Sequence, residues 1–202
     1  LVFVNQLYMQ YFNFFKLKSL YIPNCMEFRD INPFNNNSNE EVHLLFIGRI
    51  DPQKDLLTLL KAFNIVIQRS LSIRVYLHIV GDDTIGGGKE KLKVYKFIEE
   101  NPTLVNLVKF HGWHSNIKPF LENADIFVTT SIYEGFGIVF LEAGNYSIPV
   151  IATDVDGIPE VVVNGLGGLL AKKRDFLKIA FNLEKLILDK KLRHEMGNFH
   201  GK

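Results

Sequence analysis

From residue 42 onward, strand-length apolar runs alternate with helical patterns, and that alternation leaves the chain very few folds to choose from. The runs at 42–47, 73–80, 108–112, 124–130, 150–152 and 168–170 are apolar and bounded by glycine, proline or aspartate. Between the first two, Leu56, Leu59, Leu60, Phe63 and Ile67 recur at helical spacing to about Ser70. A charged helix is expected over 89–100 with Leu92, Tyr95 and Ile98 inward, and a short one over 117–123, where Pro119 fits only the first turn. A helical turn follows at 159–162. Phe176, Ile179, Ala180, Leu183, Leu186 and Ile187 then mark an amphipathic final helix over 175–189. Strands that are apolar throughout, separated by helices, predict an α/β fold with a doubly wound parallel sheet. In such sheets ligands bind beyond the carboxyl ends of the strands. The polar features fall at those ends: Gly48-Arg49, Gly81-Asp82, Gly112-Trp113, the loop at Glu134 and Thr153-Asp154.

Upstream of this pattern, residues 1–4 read as a strand, 6–15 as a helix and 18–24 as a strand ending in a turn. The chain opens on Leu1 in mid-pattern, as if entering the middle of a fold. The asparagine-rich stretch at 32–40 is polar and turn-prone. The expected organisation is therefore 1–34, a linker at 35–41, and a main domain over 42–202. A net charge of +1 argues against a polyanion-binding surface, so no nucleic-acid partner is expected. Cys25 is the single cysteine, which excludes an intrachain disulfide and any multi-cysteine metal site. Polar residues such as Asn5, Gln10 and Lys16 break the aromatic N-terminal segment, which reads as neither a membrane span nor a signal peptide. A cytoplasmic protein is the expectation.

The most chemically suggestive stretch is 133–142. Two carboxylates, Glu134 and Glu142, lie eight residues apart with Gly135 and Gly137 between them. The expected arrangement is a strand, a glycine turn and a helix, with one acid on the turn and one on the helix. A fully helical path would separate their α-carbons by about 12 Å, the scale of an extended ligand and too long for a single acid–base dyad. Glycines at a helix N-terminus let backbone amides approach an anion closely. Arg49 and Lys54 follow the first strand of the main domain. Two cations there match a diphosphate, the arginine as a planar fork and the lysine as a point charge. The residues alone leave the plainer reading of two solvated surface charges open. Asp82-Asp83 and Asp154-Val155-Asp156 are carboxylate pairs of the kind that hold Mg²⁺, but aspartates at strand ends more commonly cap turns. His43, His78, His111 and His114 lack zinc-site spacing, and His78 lies inside an apolar strand, so structural roles are expected for most of them. No metal site is expected. Gly86-Gly87-Gly88 lacks the order of a dinucleotide fingerprint and reads as a loop.

Taken in order, these pieces resemble the donor-binding half of the retaining glycosyltransferases of the GT-B fold, family 4. The matching segments are Ile47-Gly48-Arg49 with Lys54, Ile79-Val80-Gly81-Asp82, Val108 to Gly112, Ala124 to Val128, the Glu134/Glu142 pair, Pro149 to Thr153, Gly157 to Val162 and Gly168-Leu169-Leu170. The resemblance implies a Rossmann-like C-terminal half, with 1–34 the tail of an absent N-terminal acceptor domain and a C-terminus short of the usual return. It implies that Arg49, Lys54 and Glu134 are the catalytic side chains. Gly48, Arg49 and Lys54 would hold the donor diphosphate without a metal or cofactor. Glu134, with the amides of Gly135, Phe136 and Gly137, would bind the sugar, Glu142 the ribose, and Gly112 and Trp113 would border the base. The implied reaction moves a sugar from a nucleotide-sugar donor to a hydroxyl acceptor, glycan or lipid-linked, with retention of configuration. The implied partners include a separate N-terminal domain chain and the cytoplasmic membrane face, and the isolated chain is expected to be inactive. The alternative is a non-catalytic nucleotide-sugar binding or interaction module. An epimerase of related fold finds no specific support in the motifs. The sequence departs from the family pattern where glycines are usual: at Cys25, Asp55, Asp83, Ser147 and Asp156.

Overall fold

The computed structural model describes Val2, Phe3, Gln6, Met9, Gln10, residues 20–22, 40–83 and 87–199. The helix expected over 6–15 and the linker residues 35–39 fall largely or wholly outside these, as do Cys25, Gly86 and most of the N-terminal aromatics. Two short strands, β1 (Val2–Phe3) and β2 (Leu20–Tyr21), pair in parallel. The second lies within the strand expected at 18–24. The Gln6 amide donates to the Glu160 carboxylate at 3.0 Å, tying this segment to a short helix of the main domain.

The main sheet has six parallel strands: β3 (Glu41–Ile47), β4 (Arg74–Val80), β5 (Val108–Gly112), β6 (Ile126–Val128), β7 (Val150–Thr153) and β8 (Gly168–Ala171). Their spatial order is β5-β4-β3-β6-β7-β8. The chain thus winds outward from β3 through β4 to β5, then returns to the other side of β3 with β6. The expected doubly wound α/β sheet is the observed one, and its order reverses between β3 and β6. Glu41, assigned by the sequence to the linker, already belongs to β3.

Helices cover both faces, because the central strands β3, β6 and β7 have apolar side chains pointing both ways. Against one face lie α1 (Leu56–Gln68), α2 (Lys89–Glu99) and α6 (Phe176–Leu188), packing Leu59, Phe63, Leu183 and Ile187 onto Leu44, Phe46, Leu77 and Ile79. Against the other lie α4 (Ile138–Asn145) and α5 (Ile158–Val161), where Phe140 and Ile158 meet Leu45, Phe127, Val150 and Ala152. The short α3 (Lys118–Glu122) has Pro119 in its first turn, as expected.

Two expectations about helices need correction. On α2, Leu92 faces outward at 67% exposure and Tyr95, though 41% exposed, lays its ring edge-on against Phe110 at 5.0 Å, while Val94 is buried and Phe97 and Ile98 pack on the core. The inward stripe is the 94, 97, 98 set at i, i+3, i+4, and Leu92 belongs to the neighbouring stripe. The helix expected to be final is not the last one described: α7 (Lys190–Phe199) follows α6, burying Met196 and Gly197. A side chain at Gly197 would sit 1.9 Å from the Ser147 carbonyl oxygen, so glycine is what lets this helix approach the loop.

The departures from glycine have a backbone consequence. Asp55, Ser147 and Asp156 all adopt left-handed backbone, with φ of 46°, 55° and 45°. Three positions where the family usually has glycine therefore keep glycine's conformation while carrying a side chain. Aspartate tolerates this region better than most residues because its short carboxylate bonds locally. Asp55 does so, accepting the Thr58 hydroxyl at 2.8 Å at the start of α1. The Asp55 carboxylate is thus engaged at a helix N-terminus, where negative charge is favoured.

On the β3–β5 half of the second face, histidines replace apolar side chains. His43 Nδ1 meets His78 Nε2 at 3.0 Å, and His78 Nδ1 meets His111 Nε2 at 3.0 Å, a ring-to-ring chain across three strands. Sequence spacing could not show this, since the strand register makes it. Among the described residues no group of ligands is arranged to hold a metal ion. Burial, then the neighbouring His43, His111 and Lys109, pushes the His78 imidazole down to about 4. The unfolded chain takes up this proton near pH 6.5 and the folded chain only near 4, so stability present above pH 6.5 is lost as pH falls through that window. The slope is bounded by about 1.4 kcal/mol per pH unit for one proton. Solvent screening at the partly open ring lowers it further. Urea titrations at pH 7, 6 and 5 are expected to show a shallower decline for His78→Gln than for the parent. Equal declines contradict this account.

Candidate functional site

The carboxyl edge of β3, β4 and β5 is floored by glycine. Gly81, with φ of 133°, lies so close to Gly48 that a β-carbon would stand 1.9 Å from the Gly48 carbonyl oxygen. Its amide donates to the Gly112 carbonyl at 2.7 Å. These close approaches bring three strand ends together beneath a cleft of about 300 Å³, lined by Gly48, Arg49, Gly81, Asp82, Trp113 and His114 among others. Trp113 at its rim is a large apolar ring, 69% exposed. A larger cavity of about 410 Å³ lies against the sheet face beside α3, lined by His43, His78, His111 and Phe120. It is away from the loops that carry Arg49, Lys54 and Glu134.

The loop after β3 is built by Asp51, whose carboxylate accepts the Lys54 amide at 3.0 Å and holds the Arg49 guanidinium at 3.0 Å. Gln53 ties this loop to the one after β6: its side-chain amide donates to the Tyr133 carbonyl at 3.0 Å, and its own carbonyl accepts the Ile132 amide at 2.8 Å. Buried hydroxyls complete the join. Thr130 donates to the Asp55 carbonyl at 2.8 Å, and Thr153 to the Ser131 carbonyl at 2.5 Å. Each satisfies a polar group that would be costly to bury alone.

Across this join, the Lys54 ammonium donates to the Glu134 carboxylate, with both side chains largely buried at 15% and 14% exposure. The two residues are 80 apart in sequence and meet because β3 and β6 are neighbours at the point where the sheet order reverses. Arg49, Lys54 and Glu134 therefore share the switch point of the sheet, the place where α/β folds of this kind bind ligands. The plainer reading of Arg49 and Lys54 as unrelated solvated charges does not describe Lys54.

Gly137 begins α4 with φ of 75°, and a β-carbon there would stand 2.3 Å from the Phe140 ring, so the turn after Glu134 requires glycine. Phe136 is buried, and the space over Gly135 is open. Glu142 lies one turn into α4, where partial burial raises its carboxyl above the ordinary range. Gly112 and Trp113 stand across the cleft at the end of β5. Two of the aspartates considered for a metal are engaged elsewhere: Asp82 pairs with Lys91 at 2.7 Å, which holds its carboxyl below the usual carboxylate range, and Asp156 accepts the Glu134 amide at 3.1 Å. Asp51 and Gln53 were missed in the sequence. Their only signal there was position, next to the two cations.

Comparisons with known proteins identify the family and the fold. Residues 28–200 match the profile of the family described as Glycosyl transferases group 1. The chain is 32% identical over 183 residues to the capsular polysaccharide biosynthesis glycosyltransferase CapM of Staphylococcus aureus, covering 87% of this chain and 46% of CapM. It is 32% identical over 156 residues to a D-inositol 3-phosphate glycosyltransferase of Corynebacterium jeikeium, covering 76% of this chain and 37% of that one. It thus spans less than half the length of these relatives. Its fold is similar to the sucrose-phosphate synthase of Thermosynechococcus elongatus, with a TM-score of 0.85 at 23% identity over 98% of this chain and 51% of that one. It is also similar to Anabaena HepE in complex with UDP-glucose, with a TM-score of 0.84 at 21% identity over 98% and 57%. Fold, ordered motifs and family profile coincide: the chain belongs to the Glycosyl transferases group 1 family and has the Rossmann-like architecture of one half of a GT-B glycosyltransferase.

Proposed function

We propose that this site binds a nucleotide-diphosphate sugar and that the protein transfers the sugar to a hydroxyl acceptor, glycan or lipid-linked, with retention of configuration. The observation that carries the reading is the Lys54–Glu134 pair at the switch point, with Arg49 on the same loop. A carboxylate for sugar hydroxyls and two cations for a diphosphate stand side by side, as the two ends of such a donor demand. In this reading Arg49 and Lys54 neutralise the diphosphate and stabilise the departing nucleotide, so that no metal is needed for charge. Lys54 exchanges part of its contact with Glu134 for a phosphate oxygen. Glu134 and the amides of Gly135, Phe136 and Gly137 hold the sugar, Glu142 the ribose, and Gly112 and Trp113 border the base. The 202-residue chain by itself binds donor without turning it over. The setting is the cytoplasm, with the acceptor reached at a membrane face; among the described residues no helix is long and apolar enough to cross one. HepE bound to UDP-glucose makes that compound the first donor to try.

The test is calorimetry of the 202-residue chain with UDP-glucose and GDP-mannose. Removing a charge-assisted bond to phosphate with Arg49→Ala is expected to weaken binding of the preferred donor about 10- to 100-fold. Binding of the bare nucleoside should not change. Donor affinity indifferent to Arg49 rejects the site.

A further inference from the structure

Glu134 is held by more than Lys54. The turn after β7 grips both polar groups of its backbone: the Asp156 carboxylate accepts the Glu134 amide at 3.1 Å, and the Gly157 amide donates to the Glu134 carbonyl at 3.2 Å. Asp156 does this from left-handed backbone with φ of 45°, a conformation that disfavours any side chain. A glycine there would relieve the backbone but offer no acceptor. The Glu134 amide would then be free to turn toward solvent or a ligand. The strained residue and the bond it makes occur together at the residue that faces the sugar.

Resting on the donor-site reading above, we infer that Asp156 is a positioning residue for the sugar end of the site: it takes the Glu134 amide out of play as a ligand donor and sets the carboxylate of Glu134 at a fixed height beside Lys54. The consequence is specific to the sugar. Fixing the Glu134 backbone orders the start of the glycine turn before any ligand arrives, so less ordering is left for binding to impose. The diphosphate end keeps Arg49, which Asp51 holds on the loop after β3 and Asp156 does not touch. Asp156 and Asp154, which resemble a metal-holding pair in the sequence, are separated by this geometry: Asp156 is committed to a backbone amide and Asp154 is exposed beyond the strand.

Three variants test the inference: Asp156→Gly, Asp156→Asn and, as a control for backbone relief alone, Ser147→Gly at the opposite edge of the sheet. Amide hydrogen exchange at Glu134, read by NMR on the ligand-free chain, is expected to quicken about tenfold in Asp156→Gly, the scale of one lost hydrogen bond. Asparagine keeps an acceptor oxygen and tolerates left-handed backbone, so Asp156→Asn should stay close to the parent. In calorimetry, Asp156→Gly should lower affinity for UDP-glucose about tenfold while leaving UDP itself unchanged, and Ser147→Gly should change neither. The thermal midpoint of Asp156→Gly should not collapse, since glycine suits the backbone there. Unchanged exchange at Glu134 in Asp156→Gly overturns the inference without touching the donor reading. An equal loss for UDP and UDP-glucose also overturns it, because the effect would then be general to the cleft. The donor reading fails separately, if Arg49→Ala binds donor as the parent does.

Discussion

Lys54→Ala is expected to destabilise the chain by about 3 kcal/mol, because it leaves the carboxylate of Glu134 largely buried without its cation. The size follows from the burial of both partners. An exposed ion pair would be worth a fraction of this, and the Arg49–Asp51 pair, whose guanidinium side is 47% exposed, should show the smaller effect. The penalty belongs to the stranded charge, so removing both charges should return most of it. Lys54→Met combined with Glu134→Gln is expected to lie within about 1 kcal/mol of the parent, a coupling that a double-mutant cycle in urea reads directly. Equal and additive losses from the two single changes would show that the pair is not coupled. The same cycle, repeated with donor present, separates stability from binding: the double variant should fold well and bind poorly.

A second large effect is expected at Gly81. Alanine there meets two obstacles at once, a φ of 133° and a β-carbon placed 1.9 Å from the backbone oxygen of Gly48. Neither obstacle can rotate away, since the contacted atom is backbone of the neighbouring strand end. Gly81→Ala should therefore cost more than about 4 kcal/mol, the range reserved for a few structural mechanisms, or prevent folding. Gly87→Ala is the matched comparison, with φ of 61° and nothing within 4 Å of the added carbon. It should cost only the conformational part, about 1–2 kcal/mol. If the two variants are equally stable, the strand ends do not pack as closely as the structure has them.

The contrast between these residues explains how the site could be foreseen in part. Gly48 and Gly137 stood out in the sequence as turn glycines at strand ends, whereas roles for Arg49, Lys54 and Glu134 came only with the resemblance to a family. Gly112 and Trp113 were placed at a strand end by the same logic. The inward face of α2 was misread because Leu92 and Val94 belong to adjacent stripes of one helix, and only the sheet decides which stripe faces it. The helix over Lys190–Phe199 was overlooked although Leu192 and Met196 are four apart, since its charge outweighed two apolar positions. The roles of Asp51, Gln53 and Asp156 could not be read at all. Each acts through hydrogen bonds to residues distant in sequence or on the same loop, and a lone polar residue in a loop has no periodicity to reveal its partner.

By itself, the sequence determined that strands and helices alternate, that the strands are buried on both faces, and that the polar residues gather at the strands' carboxyl ends. Those properties are local: they follow from side-chain period and turn chemistry over stretches of ten residues or so. Only the tertiary structure decided that β6 returns beside β3, and so that Lys54 and Glu134, 80 residues apart, form one buried pair. It likewise aligned His43, His78 and His111 into a chain and brought Asp156 to the amide of Glu134. Strand order and register are set by how the whole apolar surface is buried at once, and a bond across that order exists only after every strand has found its neighbour.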